Sequence, residues 1–173
     1  MVRKIALASF LVLAGSGIKY SNTHDANFQF AKMESFQIVT DRSDRAAVRI
    51  HPQIRQQIDK VINQRMQQLG YRKSYPQQPD FAVAYRLESS WDPRLSAEEI
   101  RQRLGFSGGN FPDADPRARD YQVLSLVIEL SSPADGKVIW SGRAEGVQYE
   151  LGRSGWELVH SAEGILTDFQ PGV

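Results

Sequence analysis

Cysteine is absent from the 173 residues, which excludes disulfide stapling and leaves stability to the burial of a core. Histidine is scarce. His24, His51 and His160 lie far apart, and no HExxH arrangement occurs, so no zinc centre is expected. Neither sign of charge dominates: 21 Lys and Arg stand against 20 Asp and Glu, a formal +1. That balance gives no reason to expect nucleic acid or an anionic membrane surface as partner. Repeats and low-complexity blocks are missing. So are a GxSxG nucleophile elbow and a phosphate-cradling loop, because Gly105, Gly108 and Gly109 are not followed by GKS or GKT. No cofactor, metal or catalytic residue is expected, and the chain is read as no enzyme.

What is present begins at residue 1. Arg3 and Lys4 precede the apolar stretch Ile5 to Leu13, and the small residues Ala14-Gly15-Ser16 follow. That order of charge, apolar run and small residues is the layout of a bacterial export signal. The run is shorter than the roughly 20 residues a spanning helix needs. Residues 1–16 are therefore expected as a signal peptide, and 17–173 as a single periplasmic domain large enough for a real core. Without Arg3 and Lys4 the 21 basic residues become 19 against 20 acidic, a mature charge near −1. Leu13-Ala14-Gly15 resembles a lipobox, but the next residue is Ser16, and a thioether to lipid needs a thiol. Two readings stay open: Ser16 replaces an acylated cysteine, or Ala14 and Ser16 are the −3 and −1 residues of ordinary cleavage. Gly17, in place of aspartate, fits sorting to the outer membrane if the chain is a lipoprotein.

Along the mature chain, Ile18 to Asn22 reads as a short strand. Ser35 to Thr40 alternates with Phe36 and Ile38 on one face. Pro52 suits a first helical position. Ile54, Ile58, Val61, Ile62, Met66 and Leu69 then repeat every three or four residues until Gly70, a core-facing helix. Asp80 to Glu88 places Phe81, Val83, Tyr85 and Leu87 on one face of a strand. Ser96 and Glu99 form a capping box for a short helix to Leu104, and 105–119 is a long loop. Tyr121 to Leu130 and Lys137 to Tyr149 are the strongest strands, joined by the turn chemistry of Ser132-Pro133-Ala134-Asp135-Gly136. A closing helix is expected with Ser154 and Glu157 as a capping box, stopped by Pro171. The order β-β-α-β-α-β-β-α points to α+β: an antiparallel sheet with helices packed mainly on one face, a two-layer sandwich.

Several of these pieces together resemble a family of bacterial envelope lipoproteins known only as a domain of unknown function (number four-one-three-six). They are the lipobox-like start and the helix ending Leu69-Gly70-Tyr71. The strand Asp80-Phe81-Ala82-Val83-Ala84-Tyr85, the turn and strand Asp135 to Gly142, and the close Leu166-Thr167-Asp168-Phe169-Gln170-Pro171 complete the set. The resemblance implies a periplasmic domain tethered to the outer membrane, and it brings no catalytic residues.

Other constellations have plainer explanations. Asn110, Asp113 and Asp115 lack the spacing, glycine and distal glutamate of an EF-hand loop. Glu98 and Glu99 are adjacent and point in different directions on a helix. Trp91, Phe106, Phe111 and Trp156 lie in or near loops, whereas Trp140 is placed in the core; Trp91, Phe106 and Phe111 form a possible interaction surface, the plainer alternative being that the loop packs over the sheet. The function expected is a non-catalytic structural or protein-interaction module of the cell envelope. The alternative is a soluble periplasmic binding domain for a small apolar or lipid-like ligand, in a cavity lined by Phe81, Val83, Leu126 and Ile128. The membrane enters as partner only through an N-terminal lipid at position 16.

Overall fold

Among the described residues, alternation and periodicity put most strands and both helices where they stand, but they do not reveal how the strands pair. A computed structural model of the chain describes residues 9–11, 18–26, 28–39, 48–75, 78–91, 122–147 and 155–170. Strands β1 (Ser9–Leu11), β2 (Lys19–His24) and β3 (Ser35–Ile38) precede helix α1 (Pro52–Gln68). Strands β4 (Arg72–Lys73), β5 (Phe81–Trp91), β6 (Gln122–Ser131) and β7 (Val138–Val147) follow, and helix α2 (Trp156–Thr167) closes the described chain. The seven strands form one sheet in the order β1-β2-β7-β6-β5-β3-β4. The fold is α+β, as expected. The short helix expected over 96–104 and the loop 105–119 lie outside the described residues.

The sheet is mixed rather than wholly antiparallel. From β1 to β5 every pair is antiparallel, but β3 runs parallel to both β5 and β4. The cause is α1. A helix between two strands carries the chain back to the end from which it left, so the strands it joins lie parallel. Two elements had no sequence signal. β4 is only two residues long, and β1 is drawn from the apolar stretch expected as export signal, where it pairs with β2 over Leu11↔Tyr20 to Ser9↔Asn22.

Helix α1 starts at Pro52 and closes at Gly70, which takes φ 92°. His51 is its N-cap, with Nδ1 accepting the Gln53 N–H at 3.3 Å. The capping box expected at Ser154 is corrected: the N-cap of α2 is Gly155, with no side-chain cap bond. The reason lies in helix α1. A Cβ at Gly155 would stand 2.5 Å from Ile54 Cδ1, so the start of α2 abuts the start of α1. At the other end Arg65 Nε donates to the Leu166 carbonyl at 3.0 Å. The two helices therefore run side by side in the same direction, and the α1 guanidinium sits on the last carbonyls of α2, where a cation is favoured.

Both helices cover the same face of the sheet. Phe81, Val83, Tyr85 and Leu87 of β5 meet Leu126, Ile128 and Leu130 of β6 and Trp140 of β7 there, with Ile58, Ile62 and Met66 of α1 and Leu158, Ile165 and Leu166 of α2 above. Gly142 of β7 is where α2 comes closest. A Cβ there would lie 2.4 Å from both Ile165 Cγ2 and Trp140 Cη2. Both neighbours are held in the core, so Gly142→Ala is expected to destabilise the domain by about 1–3 kcal/mol through overpacking. Urea unfolding checks this, and an unchanged midpoint would show that α2 can lift away freely.

Candidate functional site

The face of the sheet opposite α1 and α2 carries an ion network. Alternation on β5 sends Arg86 and Glu88 to the face opposite Tyr85 and Leu87. The register pairs Arg86 with Val127 and Val127 with Arg143, which brings Glu129 of β6 within diagonal reach. Arg86 grips Glu129 in a two-pronged bond, 2.6 Å and 2.9 Å, and donates through Nε to Glu88 at 2.7 Å. The second oxygen of Glu88 accepts from Arg143 of β7. Glu88 thus links the two arginines, and the network spans three strands. The Arg86 side chain is only 6% exposed. Its charge is favoured by the Glu129 carboxylate first, with burial opposing and Glu88 adding. Its four described members, two cations and two anions, carry no net charge between them.

A second polar cluster joins α1 to the sheet. Arg55, Asp59 and Asn63 stand four residues apart, one line along the helix. The Tyr85 hydroxyl donates to Asp59 Oδ1 at 2.7 Å and lies 3.2 Å from the Arg55 carbonyl, while the Arg55 guanidinium stands 5.9 Å from the Tyr85 ring. Burial and the neighbouring Asp59 carboxylate push the Tyr85 phenol far above its ordinary value, so it stays a neutral donor. With Ile38, Val39, Asn63 and Lys73 these residues line a groove of about 190 Å³. The buried Asn63 Oδ1 has no hydrogen-bond partner. Tyr71 behaves like Tyr85: burial pushes its phenol up to about 12, and it donates to the Phe30 carbonyl.

The third cluster is a clasp at the start of β5. Asp80 Oδ2 accepts from the backbone N–H groups of Glu34 and Ser35 and from the Ser35 hydroxyl, each at 2.9 Å. Asp80 returns its own N–H to Ser35. The Glu34 N–H holds the Asp80 carboxyl below its ordinary range; slight burial opposes this and Ser35 adds to it. Lys32, Arg72 and Tyr75 lie around it in an open groove of about 480 Å³. A carboxylate whose pKa is lower folded than unfolded stabilises the fold above the unfolded value, near 4, and loses that effect as pH falls through the folded one. The melting temperature of Asp80→Asn is therefore expected below wild type at pH 6, with the gap closing below about pH 4. A gap that persisted in acid would show that the clasp does not work through the carboxylate.

Of the residues singled out from sequence, only some lie among the described ones. Trp91 is the last residue of β5, opposite Gln122. Ser16, Phe106, Phe111, Asn110, Asp113, Asp115, Ser154, Glu98 and Glu99 lie outside the described residues. His24 ends β2, His51 caps α1, and His160 on α2 bonds Glu163 at 2.8 Å. Among the described residues no three His, Asp or Glu side chains gather as metal ligands, and no helix is long and apolar enough to cross a membrane. Phe81, Val83, Leu126 and Ile128 are fully buried in the core, and neither groove is lined by any of them. Trp140 is core, as expected. Trp156, expected in or near a loop, is the first residue of α2 and is 60% exposed against His160.

The network, the α1 groove and the clasp were missed. Period-two patterning put Arg86, Glu88 and Glu129 on the polar face, but their meeting depends on register, which no local pattern encodes.

Residues 20–163 match the family described as "Domain of unknown function (DUF4136)". No curated protein matches the chain. Among solved structures, a PDZ domain protein from Parabacteroides distasonis is 14% identical with a TM-score of 0.50. The match covers 92% of this chain but 35% of that one, and the likeness is one of fold. A PelC dodecamer from Paraburkholderia phytofirmans is 12% identical with a TM-score of 0.45, covering 87% of this chain and 96% of that one.

Proposed function

The chain belongs to the DUF4136 family, and from that premise we propose that it is a non-catalytic module of the bacterial envelope. It is tethered to the periplasmic face of the outer membrane where position 16 carries a lipidated cysteine, and free in the periplasm where it does not. Its role is structural or a matter of protein partners.

One observation carries the non-catalytic reading: each polar cluster among the described residues holds structure together. Arg86, Glu88, Glu129 and Arg143 join three strands, Tyr85 and Asp59 join sheet to helix, and Asp80 joins β3 to β5. A general acid, base or nucleophile needs a titratable group directed at open space and held near its working pKa. In these clusters the groups face one another, and Tyr85 and Tyr71 are pushed away from neutral pH. The envelope part of the reading rests on the order of Arg3, Lys4, the apolar stretch and Ala14-Gly15-Ser16, with the family match beside it.

The test is intact mass and membrane fractionation of the chain expressed in a bacterial host, comparing Ser16 with Ser16→Cys. The cysteine form is expected to gain a lipid-sized mass and fractionate with the outer membrane, and the serine form to be cleaved and soluble. An uncleaved chain that stays in the cytoplasm in both forms would overturn the envelope reading.

A further inference from the structure

We propose that the outer edge of β2, occupied by β1 in the full-length chain, is the self-association edge of the processed chain, where it pairs antiparallel with β2 of a second copy. This rests on the envelope reading, in which the export signal that carries β1 is removed.

Backbone bonding shows which groups face that edge. The Asp25 N–H donates to the Ile139 carbonyl at 2.9 Å, and the β2–β7 register runs unbroken from Lys19↔Glu145 to His24↔Trp140. Bonded and non-bonded pairs alternate in an antiparallel ladder. Lys19, Ser21 and Thr23 therefore turn their backbone groups inward to β7, whereas Tyr20, Asn22 and His24 turn theirs outward. β1 meets the first two of these, through Leu11↔Tyr20 and Ser9↔Asn22, and does not extend to His24. The chain's own leading segment thus already sits as an added strand on this edge. Its departure would leave a six-residue strand with no proline and no bulge, the kind of edge that recruits another strand.

The identity of the recruit follows from self-complementarity. With a twofold axis at Asn22, the outward groups of Tyr20, Asn22 and His24 meet those of His24, Asn22 and Tyr20 of the second copy, three bonded pairs where β1 supplies two. On the face carrying Lys19, Ser21 and Thr23, the same register sets Ser21 opposite Thr23 and Lys19 opposite Asp25 of the second copy, where it joins the ion pair that Asp25 makes with Lys137 of its own chain. Opposite charges and hydroxyl pairs directly across two strands are favourable. A slip of two residues puts Lys19 against Thr23 and loses both charge pairs. The two copies of Lys19 then stand about 20 Å apart, close enough for two lipids at position 16 to enter one membrane.

The test compares the full chain with the chain from Gly17 by light scattering after gel filtration. The shorter chain keeps every core residue found among the described ones, the first of which is Ile18. The full chain is expected to run as a monomer and the shorter one as a dimer. Asn22→Pro removes an outward N–H and spares the β7 ladder. It is expected to weaken the dimer at least about tenfold with the melting temperature of the monomer unchanged. Lys19→Glu, which sets a carboxylate opposite the Asp25 carboxylate of the second copy, is expected to weaken it too. If circular dichroism shows the shorter chain unfolded, Leu11→Pro in the full chain frees the same edge. A folded, freed chain that stays monomeric at about 100 µM overturns the proposal, as does a dimer that Asn22→Pro leaves intact. A monomer still found in the envelope fraction would overturn this inference alone and leave the envelope reading standing.

Discussion

Phe81→Ala is expected to lower the unfolding free energy by about 3–5 kcal/mol and the melting temperature by roughly 10 °C. Phe81 opens β5, has no exposed surface and lies opposite Phe36 of β3. Its ring stacks on Phe36 at 6.2 Å and receives edges from Tyr71 at 5.0 Å and Phe30 at 6.4 Å. Phe169, just after α2, closes the group by contacting Phe30 and Trp140, each at 5.1 Å. The ring therefore sits where β3, β5, the turn at Phe30–Lys32 and the end of α2 converge. Truncation removes the transfer free energy of the ring, and the cavity cannot collapse, because its walls belong to four separately anchored elements. Phe81→Leu is expected to lose much less, about 1 kcal/mol. Urea unfolding of both variants with an unchanged slope is the measurement. A loss below about 1 kcal/mol for the alanine variant would mean the aromatic group is not the centre of the core.

Arg86→Ala is expected to be the next largest loss, about 2–3 kcal/mol. Removing one member of a buried ion pair leaves the other desolvated and uncompensated, a loss of about 3–5 kcal/mol when both are fully buried. Here Glu129 and Glu88 keep 20% and 22% of their side-chain exposure, so water recovers part of it. Glu88 also keeps Arg143, whereas Glu129 loses a two-pronged partner. The expected signature is a strong recovery in the double variant. Arg86→Leu with Glu129→Leu replaces the pair by apolar side chains and should return to within about 1 kcal/mol of wild type. If the double variant were as weak as the two single losses added together, the residues would be acting independently and the network would not be the source of the loss.

Local patterning made most elements legible. The helix from Pro52 to Gly70, the strand through Phe81 and the hairpin at Ser132 to Lys137 all stand where spacing and turn chemistry put them. Each depends on residues within a few positions of one another. The α2 cap failed because Gly155 answers to Ile54, a hundred residues earlier in the chain and not to its own sequence neighbours. The ion network failed likewise. Arg86 and Glu129 are 43 residues apart, and alternation says which face each takes but not which strand lies alongside.

From the sequence alone came the α+β class, the inward faces of the helices and central strands, the absence of disulfide support and the family. These follow from period, composition and short motifs, in which the physical cause and its effect share one stretch of chain. Strand order, the parallel pairing imposed by α1, the parallel course of the two helices and the seat of β1 on β2 needed the folded chain. They depend on which distant segments reach one another first and fit best, and hydrogen bonds between strands are blind to the side chains that a sequence displays.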